Sequence, residues 1–284
     1  MKIALLADIH GNYEALGACL RFIDTQKVDG LAFLGDYISD CPYPQRTMKL
    51  LYEYMEKYTC FLVRGNREEY MIQYRKNPVG WKYSSGSGGL LYTYENLTSE
   101  DLDFFESLPI YRTVDISGYP SFSICHGSPK NARENLLFDS KERDTYLHEL
   151  DVGYLFCGHT HQFFTYQFEE KEVTGCASVG GPVNGQTKAQ FVMLTFENGK
   201  WKSELVSVSY DIEKMISDFS ESGLCEKSFV WGKSVIRLLQ TGEDFPSKCL
   251  SLAMEKAKGE YPDKTYENLS EEHWNAAAKE LGME

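Results

Sequence analysis

The side chains with the most chemistry in them stand directly behind apolar runs. Asp8-Ile9-His10 follows residues 2–7, and Gly35-Asp36 follows residues 31–34. Gly65-Asn66-Arg67-Glu68 follows residues 60–63, His126-Gly127 follows 121–125, and Gly158-His159-Thr160-His161 follows 154–157. Asp8, His10, Asp36, Asn66, His126, His159 and His161 supply two carboxylates, one amide oxygen and four of the chain's six imidazoles. A mixed nitrogen and oxygen set of this kind holds divalent first-row metals: manganese, iron, zinc, cobalt or nickel. It is large enough for two ions, with one carboxylate shared between them. Such ions sit about 3.5–4 Å apart, and a shared anion offsets their repulsion. Taken alone, Asp8 and His10 read better as a capping Asp with an incidental His in a turn. The return of similar groups behind four later apolar runs favours a dimetal centre over unrelated polar turns.

The elements that must position these groups follow from the pattern around them. Residues 2–7, 31–34 and 60–63 have no polar face and read as buried strands. Residues 13–26 and 44–57 repeat apolar side chains at helical spacing, with Asn12 as an N-cap and Pro44 at a helix start. Strands alternating with helices make a largely parallel sheet, whose carboxyl ends are where ligands bind. In an extended strand end, Asp8 and His10 would point the same way. Residues 67–109 break the rhythm as an insert. Helices are expected at 67–76 and at 99–107, the latter capped by Thr98 or Ser99, with a glycine-rich flexible stretch at 81–89. The insert carries Tyr70, Tyr74, Trp81, Tyr83, Tyr92 and Tyr94. Those rings either form a lid that stacks on a base or pack the insert onto the core. Strands resume at 111–116, 121–125 and 154–157, with a helix at 141–150. Segments 163–168, 172–178, 190–196 and 201–210 read as hairpins of a second sheet. Helices are expected at 211–222, 229–240, 247–258 and 270–281. The resulting organisation is a core over residues 1–210, with an insert at about 67–109, and a C-terminal helical extension over 211–284 packing on it.

Bulk composition narrows the function classes. The formal charge of −13 opposes binding to a nucleic-acid polymer or an anionic membrane, both of which need basic surface. No run of about 18 apolar residues is present to span a membrane. The eight cysteines are scattered without a C-x-x-C pair and suit small buried thiols, which points to a cytoplasmic protein. His148 and His273 lie in charged, helix-like surroundings and take no role.

The order D-x-H, G-D, G-N-x-[DE], H-G and G-H-x-H, carried here by the residues named above, resembles the calcineurin-like metallophosphoesterases over about residues 1–180. The resemblance implies an α/β fold of two sheets packed as a sandwich and flanked by helices. It implies that Asp8, His10 and His161 hold one metal, that Asn66, His126 and His159 hold the other, and that Asp36 bridges them. A hydroxide between the metals would then attack phosphorus in line. Arg67, Asn66 and His126 are read as the catalytic set. Many members carry a histidine where this chain has Arg67. Arginine stays charged and cannot protonate a leaving oxygen, but it can clamp a phosphate. The alternative for Arg67 is a pair with Glu68 or Glu69 at a helix start. The expected substrate is a small phosphorylated molecule or nucleotide, as a phosphodiester or a phosphoanhydride such as a dinucleoside polyphosphate. A phosphomonoesterase, or phosphoprotein phosphatase, and a non-catalytic scaffold of the same fold are the competing expectations.

Overall fold

The first strand, β1 (Lys2–Leu6), is buried on both faces, so it needs a packed layer above and below. A computed structural model describes residues 1–136, 141–258 and 269–283. In it β1 pairs in parallel with β2 (Gly30–Phe33), which pairs in parallel with β3 (Cys60–Leu62). On its other side β1 pairs antiparallel with β9 (Ala189–Glu197), and β9 continues into β10 (Lys200–Val208), giving the order β10-β9-β1-β2-β3. The second sheet has the order β4-β5-β6-β8-β7. Its strands are β4 (Tyr111–Val114), β5 (Phe122–Cys125), β6 (Tyr154–Cys157), β7 (Phe163–Phe168) and β8 (Lys171–Cys176).

The alternation along β1 divides the core. Ile3 and Leu5 face the second sheet and pack in one cluster with Phe122, Ile124, Phe156 and Trp201. Ala4 and Leu6 face the opposite way, in a cluster with Ala15, Leu16 and Cys19 of α1 (Tyr13–Asp24) and Met48 of α2 (Pro44–Lys57). The outer face of the second sheet is covered by Leu147 of α6 (Lys141–Glu149). The molecule is therefore a two-sheet sandwich flanked by helices, as the motif order implies. One expectation changes. The segments around 190–210 do not join the second sheet: they complete the first beside β1. The reason is visible in β9, whose first six residues are all buried, Gln190 included. That is the signature of a central strand, not of an outer hairpin.

The insert comprises α3 (Asn66–Lys76), α4 (Gly88–Glu95) and α5 (Ser99–Ser107). Thr98 caps α5 through the Asp101 amide, as expected. The helix α4 was masked in sequence by its glycines. Gly88 is there because the backbone of Lys227 approaches it too closely for any side chain: an added Cβ would meet the Lys227 carbonyl at 1.8 Å. Tyr74 and Trp81 stack on each other at 4.1 Å, and Tyr94 meets Tyr74 edge-on at 4.9 Å. Packing, the second of the two alternatives for the aromatic insert, is thus what occupies these three rings.

Beyond β10 the chain forms α7 (Ile212–Glu221), α8 (Cys225–Thr241), α9 (Phe245–Lys256) and α10 (Glu271–Glu280). Positions 259–268 and 284 of the expected C-terminal extension lie outside the described residues. Met215, Phe219, Val235 and Leu239 share a buried cluster with Cys41 and Tyr92, so these helices pack on the loop after β2 and on α4. The helix α8 is broken at Phe229, which adopts φ 43° and ψ −115°, a conformation that bulky residues rarely take. The amide of Val230, next in the chain, donates to Ser85 Oγ at 3.1 Å. Ser85 is held in turn by Glu271, which accepts from its amide at 2.8 Å and from its hydroxyl at 2.7 Å.

Trp201 shows how far the two sheets depend on each other. Its indole N–H donates to Pro120 O at 2.8 Å, and its ring meets Phe122 at 5.5 Å and Phe196 at 5.4 Å. Trp201→Ala is expected to cost about 3–5 kcal/mol, the range for deleting a buried large ring. Urea unfolding of the metal-free protein measures it, and an unchanged midpoint would mean that the inter-sheet core does not lean on this side chain.

Candidate dimetal centre

The ends of five strands are laced together by backbone hydrogen bonds. The Asp8 amide donates to Gly35 O at 3.2 Å, His10 to Asp36 O at 2.9 Å, and Gly158 to His126 O at 2.8 Å. Gly180 donates to Asp8 O at 2.9 Å, which ties in the segment after β8. Asp8, His10, Asp36, His159 and His161 all take left-handed backbone conformations, with φ between 51° and 66°. Non-glycine residues pay for this conformation in strain and hold it only when their surroundings impose it. Asp8 and His10 therefore do converge, but not as alternate residues of an extended strand. Each lies in a sharply turned loop.

The seven expected residues meet at one place. Asp8, His10 and His161 form one group of possible metal ligands, and Asp36, His126 and His159 form another. The His10 and His161 Nε2 atoms are 3.0 Å apart, and His161 Nε2 is 3.4 Å from Asp8 Oδ1. His126 Nε2 lies 3.3 Å from Asp36 Oδ2 and 3.1 Å from Asn66 Oδ1. Asp36 Oδ2 is also 3.7 Å from His10 Nε2, so this carboxylate reaches both groups. Asp8 and His126 are fully buried, and His10, Asp36 and Asn66 nearly so.

An outer ring of acceptors orients the imidazoles. His126 Nδ1 lies 2.8 Å from Leu34 O, His161 Nδ1 2.7 Å from Gly181 O, and His10 Nδ1 2.9 Å from Asp40 Oδ2. His159 uses its other nitrogen, Nε2, at 3.2 Å from Arg133 O. A carbonyl accepts only from an N–H, so His126, His161 and His159 carry a hydrogen on the outward nitrogen, while the Asp40 carboxylate faces His10 Nδ1 at ion-pair distance. Were all four rings neutral, their inward nitrogens would present lone pairs to carboxylate oxygens and, at His10 and His161, to each other. Facing lone pairs at 3.0 Å repel unless positive charge lies between them. The donor set and its crowding fit two divalent cations.

The proton affinities follow the same physics. Burial works against charge on His10, yet its contacts with Asp40 and Asp8 raise its pKa to about 10. Burial is likewise outweighed at His126, where Asp36 and Asp8 raise it to about 9. Burial, with positive His126 beside it, lowers His159 to about 4, and burial also lowers His161. Burial disfavours the carboxylate of Asp36, but His126, His10 and Arg67 hold it far below the usual range. Two protonated rings thus supply the positive charge that the acceptors demand.

Two further carboxylates stand at the site: Asp40, which the sequence reading does not name, and Glu68, named there only as part of the G-N-x-[DE] motif and as a candidate partner of Arg67. Asp40 joins His10 to Arg67 Nη2 at 3.0 Å and accepts the Trp231 indole N–H at 2.8 Å. Its only signal was position, four residues past Asp36 in a polar loop. Glu68 is fully buried and accepts the amides of Asp36 at 2.9 Å, Tyr37 at 2.8 Å and Gly65 at 2.7 Å. Burial, then the Asp36 charge, raises its pKa to about 7. The expected alternative of Arg67 pairing with Glu68 or Glu69 is not what forms. Glu68 is spent on backbone amides, Glu69 lies 3.7 Å from Arg64, and Arg67 turns to Asp40. His148 packs edge-on against Phe168, and His273 bonds to Ser270.

Comparison with known proteins agrees with this geometry. An uncharacterised protein of Methanocaldococcus jannaschii is 27% identical over 240 residues, covering 79% of this chain and 94% of that protein. A metallophosphoesterase crystal structure from Sphaerobacter thermophilus is similar with a TM-score of 0.68 at 23% identity, covering 85% of this chain and all of that one. A hypothetical protein of Pyrococcus horikoshii is similar with a TM-score of 0.72 at 22% identity, covering 85% of this chain and 98% of that one. Both structures share the fold. The calcineurin-like phosphoesterase family model matches residues 1–163, more than half of the chain, and with the two ligand groups in that span the chain belongs to this family of metal-dependent phosphoester hydrolases.

Proposed function

We propose that the protein is a dimetal phosphodiesterase acting on small phosphorylated molecules. In this reading Asp8, His10 and His161 hold one cation, Asn66, His126 and His159 hold the other, and Asp36 is shared. The observation that carries it is the convergence of seven metal-ligating side chains, five of them buried, as two groups that Asp36 joins. Two bound cations would take up charge on the phosphoryl oxygens and make water a competent nucleophile at neutral pH. Manganese is the first metal to test. The chain's own part is to fix geometry. Asp40 holds the His10 ring, the Leu34 and Gly181 carbonyls hold His126 and His161, and Glu68 holds the Asp36 and Asn66 loops in register.

Arg67 favours diesters. Its guanidinium has five N–H donors and can serve both Asp40 and a phosphoryl oxygen, but it cannot supply a proton to the leaving oxygen. A leaving group of low pKa needs no such proton. That suits aryl and nucleotide diesters, and also phosphoanhydrides such as dinucleoside polyphosphates, better than alkyl monoesters. We place the reaction in the cytoplasm, in keeping with eight free thiols, and on small molecules and not nucleic-acid polymers, in keeping with the −13 charge.

Bis(p-nitrophenyl) phosphate is expected to be turned over with manganese in preference to a sugar phosphate; dominant hydrolysis of the sugar phosphate would replace this reading with a phosphomonoesterase. Asp36→Asn should reduce activity to background with the fold intact by near-ultraviolet circular dichroism. Retained turnover in the folded variant removes Asp36 from the shared position.

The rate should fall steeply as the leaving group becomes more basic. Arg67→His is expected to flatten that dependence, recovering on the order of 10²-fold for alkyl leaving groups through general-acid help. A parallel dependence in wild type and variant would count against the argument from Arg67.

Metal uptake should release protons. The values of about 10 and 9 for His10 and His126 lie above neutrality, so both rings are charged in the metal-free protein and must lose a proton to bind a cation. Affinity should rise with pH until about 9–10 and level off above. In the metal-free fold the same raised values stabilise fully below the ordinary imidazole range and lose that contribution as pH climbs through 9–10. Titration calorimetry at pH 7.5 in buffers of different ionisation enthalpy should count about two protons for two metals; buffer-independent heats would contradict it.

A further inference from the structure

Two cavities open from the metal centre beneath the C-terminal helices. The first, of about 220 Å³, runs from His10 and His161 to Val235, Leu238 and Leu239 of α8 and Pro246 of α9. The second, of about 250 Å³, runs from Asn66 to Tyr70, Leu90, Leu250 and Trp274. Both include Asn66, Arg67 and His159 in their walls, so they meet where a phosphoryl group would sit. Both also include Trp231, which stands between them. Its indole N–H is fastened to Asp40 at 2.8 Å, and its ring meets Trp274 edge-on at 6.2 Å. The break in α8 at Phe229 lies two residues before it and is held by Ser85.

The charge of these walls is as informative as their shape. Among the described residues, Arg67 is the only arginine or lysine lining either cavity, and Asp40 already lies 3.0 Å from it. Arg133 rests over Tyr70 at 4.6 Å but lines neither. Asp40 and Asp244 add negative charge. A polyphosphate chain would bring several anionic groups into walls with almost nothing to pair them, which costs heavily in a desolvated site. A diester brings one negative charge, placed at the cations, and two ester groups pointing away from it. Each cavity is below the roughly 300 Å³ of a drug-sized pocket and suits one small substituent.

We infer that the substrate is a monoanionic phosphodiester bearing two apolar or aromatic ester groups, one in each cavity, and that α8, α9 and α10 are its specificity elements. This rests on the phosphodiesterase reading and narrows it: dinucleoside polyphosphates are poor substrates. In the reaction the oxygen of water bonds to phosphorus and the bond to one ester oxygen breaks. That group leaves as its alcohol or phenol, taking up a proton, and a phosphomonoester remains.

The test compares methyl p-nitrophenyl phosphate, phenyl p-nitrophenyl phosphate and diadenosine tetraphosphate on the manganese-loaded protein. The phenyl ester should exceed the methyl ester in kcat/KM by about tenfold or more, through KM, as expected when an apolar pocket takes the added carbons. Diphenyl phosphate should inhibit at least about tenfold more tightly than dimethyl phosphate, a reading that needs no variant. Of Leu238→Arg and Leu250→Arg, one should bring the phenyl-to-methyl ratio near one, and the other should weaken both esters, because one cavity takes the leaving group. Equal kcat/KM for the two esters with equal inhibition by the two phosphates, or diadenosine tetraphosphate as the best substrate, overturns the inference and leaves a phosphoester hydrolase of other specificity. Hydrolysis of monoesters with no diester turnover overturns the phosphodiesterase reading, and this inference with it.

Discussion

Seven ligand side chains converging on one place, five of them buried, is an arrangement that only positive charge can hold together. Every other feature around the centre serves to keep it from relaxing. The outer ring of Leu34, Gly181, Arg133 and Asp40 fixes which ring nitrogen carries hydrogen. With the tautomers set, neither His126 nor His161 can turn its outward hydrogen inward without abandoning a buried acceptor. Protons on His10 and His126 balance the charge in the metal-free protein. Cations compete for those same positions, with larger charge and without a preference for one ring over another.

Such a centre needs a stiff support, and the sandwich provides it. Five strand ends converge because parallel strands all finish on one side, and the second sheet brings its own strand ends against them. The left-handed turns at five ligands are stored strain, kept in place by hydrogen bonds between neighbouring loops. Glu68 is the clearest case of a residue acting at one remove. It touches no expected ligand atom, yet three amides of the two loops that carry Asp36 and Asn66 bond to it. A side chain there without a carboxylate would leave those donors buried and unpaired.

Much of this was legible before any coordinates. Strands, helices and the grouping of Asp8, His10, Asp36, Asn66, His126, His159 and His161 follow from apolar runs ending in polar residues, a pattern carried locally by the chain. What escaped was nonlocal. The β9–β10 hairpin went to the wrong sheet because pairing partners far apart in sequence leave no mark on either strand except burial on both faces. The helix α4 is hidden by its glycines, and the cause of one of them, Gly88, is the Lys227 backbone, more than a hundred residues on. Asp40 and Trp231 were invisible as site residues because their roles exist only between them. Arg67 was noticed, but its partner was sought among adjacent acids when three-dimensional proximity favoured Asp40.

The pairing of β1 with β9 sets a schedule for synthesis. Ile3 lies against Leu194 and Ala4 against Met193, and the loop bearing Asp8 is closed by the Ser178 hydroxyl and the Gly180 amide. The opening strand therefore lacks its second neighbour until most of the chain has been made. Long waits of this kind slow assembly and leave apolar edges open to wrong partners. The strand that leads to the first ligand is therefore flanked on both sides only after the ninth strand has been made.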